Sequence, residues 1–408
     1  MSFCLFRSLI LLAAIVCGPV IVAAEETTAS PVNPPAANPK PTASKSAPPP
    51  PVTEQGQVAT SGTDEPTNKL RPRTPPTFER WSVHCTNSGL CTASTFLRDQ
   101  SVWVDLRIVR DWPAEAPPLL RITANAALNG EKSISLSVDN QQIDEIQIAQ
   151  LRESQQAISA PAGFRPLGGE GFWYPAGPTT SSLIRAMLSG TTLSMDLPIG
   201  DQNVTVRLPL AGLHHSLTWL DEQQNRQNTR NAIILTGNSA AKNAPHALPV
   251  LDPASLPAAV SEAWDANRFC SDIDPTIFTN LDAVIAPIDE KTKLYLLPCG
   301  APNAYNTPYV ALHSVADGKT RQLPVARMSD QGPIATELIY NLRWNAATRE
   351  LDGLYRGSGI GDCGVWNRWR WTSSGFALIE EASRTTCDGK ETPLQDWPLT
   401  WPAVTASK

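Results

Sequence analysis

From Phe78 onward the chain alternates apolar and polar positions with a period of two. Trp81, Val83 and Cys85 fall on one face of the run 78–85, with Ser82 and His84 between them. The turn-forming run Asn87-Ser88-Gly89 then predicts a hairpin to Cys91. The same alternation over 101–110, 133–139 (Ile134, Leu136, Val138) and 203–210 predicts three further strands. Helical spacing is confined to short runs. These are 180–188, stopped by Gly190, and 213–225, where Leu213, Leu217 and Leu220 share a face. Beyond 253, a helix over 260–267 leads to Cys270, and the run 293–299 is strand-like. Pro298 and Pro302 argue against a simple central strand there. A meander follows over 337–343, 350–355, 365–371 and 376–381, with turns at 345–348, 357–364 and 373–375.

Strands outnumber helices, so the expected fold class is mainly β. It comprises two β-rich domains with a few short helices: a β-sandwich-like domain over 78–236 and a disulfide-bonded antiparallel meander over 254–408. The stretch 237–253, rich in Ala, Asn and Pro, marks the boundary. Seven of the twelve tryptophans lie beyond residue 250, enough to seed an aromatic core in the second domain.

The first 77 positions follow other rules. Arg7, the apolar run 9–16, the break at Gly18-Pro19 and the small residues Ala23-Ala24 have the order of a secretory signal peptide (residues 1–24), cut after Ala24. Val16 is too bulky to make Cys17 a lipoprotein cysteine. Residues 25–77, crowded with Pro, Ala, Thr and Ser, cannot bury enough apolar surface to offset their ordering entropy. They are expected to be a disordered leader, either passive or a spacer from an anchored N-terminus. No later segment approaches a membrane-spanning apolar run, so no transmembrane segment is expected in the mature chain. The expected location is the periplasm, with secretion or N-terminal anchoring as alternatives.

Six cysteines remain, in three neighbouring pairs: Cys85 with Cys91, Cys270 with Cys299, and Cys363 with Cys387. An oxidising compartment makes these disulfides, although sequence alone does not choose strictly among the connectivities. No C-x-x-C occurs and the histidines do not gather around cysteines, so no metal is expected. A formal charge of −6 without a basic stripe speaks against nucleic acid as a partner.

Gly359-x-Gly361-x-x-Gly364 formally matches the dinucleotide fingerprint, but a strand-prone segment follows it where a helix is needed. No cofactor is expected. The strand 365–371 carries more. Alternation sets Trp369 and Trp371 on one face and Trp366, Arg368 and Arg370 on the other. If the first face is core, the second offers a ring and two guanidinium groups for stacking and for paired hydrogen bonds to carboxylates. With Arg356 and Asp362 in the preceding loop, and the Tyr305-Asn306 loop, this forms the expected ligand surface. The competing reading pairs these arginines with Glu380 or Glu381 on the next strand. No catalytic residue is assigned. Ser358 lacks the G-x-S-x-G elbow because Arg356 holds the first glycine position, His214-His215 reads as polar surface, and the adjacent pairs Asp221/Glu222 and Glu380/Glu381 point apart.

Cys299-Gly300, Ala304-Tyr305-Asn306, the segment Gly359 to Gly364, Trp369-Arg370-Trp371, Gly375-Phe376 and Cys387-Asp388-Gly389 together resemble one group. It is the exported bacterial family catalogued as domain of unknown function 1176, and the likeness runs over most of 78–402. The resemblance implies six conserved cysteines and an envelope location, and brings no established activity. Phe78-x-x-Trp81-x-Val83-x-Cys85 with Cys91, Leu210-Ala211-Gly212-Leu213 and Trp219-Leu220-Asp221 also resemble, more loosely, the invasion-associated locus B domain. That is a β-sandwich module exported by Gram-negative bacteria, whose second internal cysteine pair is missing here. The functional expectation is a binding module of the bacterial envelope, its partner an envelope protein or a cell-wall ligand. The alternatives are an inhibitor or immunity-type protein against a cell-wall hydrolase, an envelope hydrolase, and a structural role.

Overall fold

Apolar alternation becomes two facing sheets in the first half of the chain. The computed structural model describes residues 76–99, 102–266 and 270–401. The signal-peptide expectation, and nearly all of the leader, lie outside these residues. Thr77–Phe78, Trp81–Cys85, Cys91–Asp99, Val102–Arg110, Leu119–Ala124 and Glu170–Trp173 pair in that order as one antiparallel sheet. Gln202–Pro209, Thr192–Ile199, Ser133–Val138 and Gln141–Gln147 form a second. Trp81, Val83, Leu106 and Ile108 of the first sheet share a core with Leu136, Met195 and Leu208 of the second. The helices Pro178–Ser189 and Leu213–Gln223 close that core with Leu183, Ile184, Leu213, Leu217 and Leu220. The expected strand 78–85 is interrupted. Glu79 adopts a φ of 53°, and Phe78 turns back to pair with Trp81.

The second half has three layers. Leu248–Pro249, Val284–Pro287, Thr292–Pro298, Pro308–Val315 and Thr320–Leu323 form the middle sheet, which Ile339–Tyr340 joins beside Pro308–Val315. One face packs Tyr295, Leu297, Val310 and Leu312 on Val260 and Trp264 of the helix Ala258–Asp265. The other packs Leu294, Leu296 and Tyr309 on Trp344, Leu351 and Trp369 of a last sheet. That sheet runs Arg343–Asn345, Glu350–Arg356, Gly364–Trp371, Phe376–Arg384, Leu399–Trp401.

Two expectations need correcting here. Thr292–Pro298 is a central strand, paired on both sides. Pro298 is tolerated because it is the last residue of the strand. Beyond it the Cys299 N–H still donates to the Pro308 carbonyl at 2.8 Å. The expected strand 337–343 is instead two short pieces in different sheets. Asn341, at φ 48°, turns the chain between them.

All three neighbouring cysteine pairs are disulfides. Loops of these lengths are worth about 2–4 kcal/mol each in the chain-entropy model. Among the described residues no helix is long and apolar enough to cross a membrane.

The halves meet at the tip of the Cys85–Cys91 hairpin. Asn87, 5% exposed, donates its backbone N–H to the Asp282 carboxylate at 2.7 Å. Its Nδ2 donates to the carbonyls of Asp282 (3.2 Å) and Leu342 (3.4 Å), and its Oδ1 accepts from the Trp344 N–H at 2.7 Å. Beside this plug, Trp112 stacks on His246 with centroids 3.6 Å apart. Asn87→Ala is expected to lower stability by about 2–3 kcal/mol, because it strands the buried Trp344 N–H as well as removing bonds. Urea denaturation measures this directly.

Candidate functional site

Strand register builds a ladder of alternating charge on the face of the last sheet opposite its tryptophan core. Arg343 stands across from Asp352, Asp352 across from Arg368, and Arg368 across from Glu380. Period two sets Asn345, Glu350 and Arg370 in the adjacent row of the same face. Trp344, Leu351 and Trp369 point the other way into the core, as alternation requires. The expected division of the strand 365–371 is therefore correct for Trp369, while Trp371 packs half-buried at the core's edge.

A cleft of about 630 Å³ opens over this face. Its floor includes Arg343, Glu350, Asp352 and Arg368. Its walls come from the hairpin tip at Cys85 to Asn87, from Trp219 and Glu222 at the end of the helix Leu213–Gln223, and from Ala244-Pro245. Gly89 also lines it. Its φ of 86° suits glycine, and a Cβ there would press on the Pro245 carbonyl at 3.1 Å.

Within the cleft the charges differ in how they are held. The Arg368 side chain, 7% exposed, pairs with the inaccessible Glu380 at 2.6 Å and lies 5.7 Å from the Trp366 ring centroid. Arg370 pairs with Glu350 at 2.6 Å, on the strand opposite to the one expected. Arg343 is exposed, and no hydrogen bond or ion pair among the described residues engages its guanidinium. Part of Asp352 reaches solvent, yet its Oδ1 is sealed from water and has no hydrogen-bond partner among the described residues. Burial pushes the Asp352 carboxyl up to about 7, against the opposing pull of Arg343 and Arg368.

Trp366 is not the open stacking platform that alternation alone implies. It is 2% exposed and packs on Ala382, Leu394 and Trp397. The chain folds back after Cys387 and covers it, then adds Leu399–Trp401 to the sheet edge.

The remaining expected site residues cluster at the far end of the same strands, where two of them build the loops. Asn306, 2% exposed, donates to the Arg356 carbonyl at 2.8 Å and accepts from the Arg356 N–H at 2.9 Å. Asn341 adds a bond to its Oδ1 at 2.9 Å. Asp362 accepts from the Ser358 hydroxyl and from the Gly389 N–H at 2.7 Å. These bonds, that from Ser358 foremost, hold its carboxyl below the usual range. Asp362 thus fastens the loop around Cys363–Cys387, and the Ser358 hydroxyl is engaged there. Gly364, at φ 145°, is obligatory, since a Cβ would lie 1.9 Å from the Tyr355 carbonyl oxygen. Tyr305 lies beside Gly359, half-buried. Asp362, Cys363 and Cys387 sit within ligand distance of one another, but both sulfurs are in the disulfide.

Of the expected site residues Arg368 lines the cleft, joined there by Arg343 and Asp352, which no expectation named, and by Glu222, set aside as half of an adjacent carboxylate pair. The available signal was the period-two charge of Arg343-Trp344-Asn345 and Glu350-Leu351-Asp352, which places those charges opposite Trp344 and Leu351.

Comparison with known proteins adds a family and no chemistry. The chain is 26% identical over 241 residues to "Uncharacterized protein YpfG" of Escherichia coli (strain K12), spanning 55% of this chain and 66% of that relative, just under two thirds of its length. No solved structure matches. The looser likeness of the first half to the invasion-associated locus B domain is not supported by these comparisons. One family model instead runs through both halves, over residues 76–404. The chain belongs to the family described as "Protein of unknown function (DUF1176)".

Proposed function

We propose that this is an exported, periplasmic binding protein of the bacterial envelope, whose two β-rich domains (78–236 and 254–408) hold a small cell-wall ligand in the cleft between them. One observation carries the reading: an exposed Arg343 guanidinium stands across the strand pair from the buried, unpartnered Asp352 oxygen at the base of a 630 Å³ cleft. A ligand carboxylate matches the arginine fork, and a ligand ammonium or N–H group supplies what Asp352 lacks. Glu222 adds negative charge at the cleft wall. The ligand class is a zwitterion of peptide size.

A panel of zwitterionic dipeptides, with N-acetylated and C-amidated counterparts, tests this by thermal shift. The zwitterions are expected to raise the melting temperature, and blocking either end should remove the shift. Equal response to blocked and unblocked peptides, or no response, would refute the reading.

A second reading, the inhibitor-type protein, draws on Ile360. It is 63% exposed in the glycine-rich loop that leads into the Cys363–Cys387 disulfide. It requires that the purified protein slow a peptidoglycan hydrolase and that Ile360→Asp abolish the effect.

A further inference from the structure

The outer face of the first sheet gathers arginines. Register sets Ser94, Arg107, Arg121 and Trp173 in one row across four strands. The segment before Glu170–Trp173 brings Phe164 and Arg165 over that row. The Arg121 guanidinium lies 5.2 Å from the Trp173 ring and 5.7 Å from that of Phe164, and the Arg107 guanidinium lies 6.0 Å from Phe164. Arg107 donates to the Arg165 carbonyl at 2.8 Å.

Three guanidinium groups share this face with Asp105, 2.5 Å from Arg107, and with the buried Asp282 in electrostatic reach of Arg165. That is a local excess of positive charge on a chain whose formal charge is −6. Like charges held together cost free energy unless an anion or water separates them. The hydrogen-bond inventory is also incomplete. Arg121 Nε, Thr123 Oγ1 and Arg165 Nε are all sealed from solvent and lack a partner. Gly171 marks where two of these groups converge, since a Cβ there would lie 2.5 Å from Arg121 Nη2 and 2.9 Å from Thr123 Oγ1. Arg107, Arg121 and Arg165 each remain partly open to solvent, so the cluster can be reached.

We infer that this face is a second binding site, built by residues that do not line the cleft. It takes a small ligand bearing an oxyanion, a carboxylate or a phosphate, held by Arg107, Arg121, Arg165 and the Thr123 hydroxyl, with Phe164 and Trp173 as flanking rings. Guanidinium forks match both oxyanions bidentately, and the buried hydroxyl supplies one further donor.

The test is a tryptophan-fluorescence and thermal-shift titration with citrate and, separately, inorganic phosphate, at ionic strength held constant with chloride. The purified protein is compared with Arg121→Gln and Thr123→Val. A saturable response to at least one anion is expected, with citrate alone indicating a carboxylate site and phosphate alone a phosphate site. Arg121→Gln should weaken binding at least about tenfold, as loss of a charge-assisted pair does. Thr123→Val should weaken it several-fold without lowering the melting temperature in the absence of anion, since an unpaired buried hydroxyl contributes nothing to the fold. No saturable response to either anion, or unaltered affinity in both Arg121→Gln and Thr123→Val, would overturn the inference.

Discussion

Arg368→Met is expected to lower folding stability by about 3–5 kcal/mol, the range for breaking a buried ion pair from one side. The Glu380 carboxylate is inaccessible, and its partner's guanidinium stands 2.6 Å away and 7% exposed. Methionine fills much of the arginine's volume but removes the guanidinium that faces that carboxylate. The Arg368 guanidinium also lies 5.7 Å from the Trp366 ring centroid, so a cation–π contact is lost together with the ion pair. The double variant Arg368→Met/Glu380→Leu should recover most of the loss, because replacing both charges by apolar groups removes the desolvation penalty. Urea unfolding of the two single variants and the double variant at pH 7 measures the cycle. A loss below about 1 kcal/mol for Arg368→Met would place the pair in solvent-like surroundings.

The second large effect depends on pH. Asp352 binds its proton more tightly in the folded chain, with a carboxyl pushed up to about 7 from an ordinary 3.8. Below the unfolded value both states are protonated, and the group costs nothing. As pH rises from about 4 to about 7 the unfolded chain releases the proton first. Stability contributed by this group is therefore lost across that window and stays lost above it, by about 4 kcal/mol at most. Asp352→Asn should match the parent at pH 4 and exceed it at pH 7.5. Taking the difference between parent and variant isolates Asp352 from the other carboxylates raised by burial, such as Asp105, Asp221 and Asp282. A difference independent of pH would show that the carboxyl is hydrated.

Local physics made much of this legible in advance. Period-two alternation located the strands around Trp81, Leu136, Val206 and Trp369, and it divided 365–371 into a core face and a charged face. Chain proximity suggested the disulfide pairs that the structure forms, without choosing strictly among the connectivities. What escaped was set by distant partners. Trp366 is apolar and strand-borne, and its cover comes from Leu394 and Trp397, which no local pattern joins to it. Asn87 looked like a turn residue, and its side chain became the join between the halves because Asp282, Leu342 and Trp344 meet it from far along the chain. Asn306 and Asp362 had the chemistry of ligand residues, yet their hydrogen bonds hold loops together. Arg343 and Asp352 become a pair only once the register of Arg343–Asn345 against Glu350–Arg356 is known.

Lodging of a zwitterion between Arg343 and Asp352 is tested by an NMR map of the isotope-labelled protein during titration with alanyl-alanine. Saturable shifts of the Arg343 Nε–H and of amides in 85–89 and 343–352 are expected, abolished in Arg343→Gln. Shifts confined to other surfaces, or none up to saturating peptide, would contradict it.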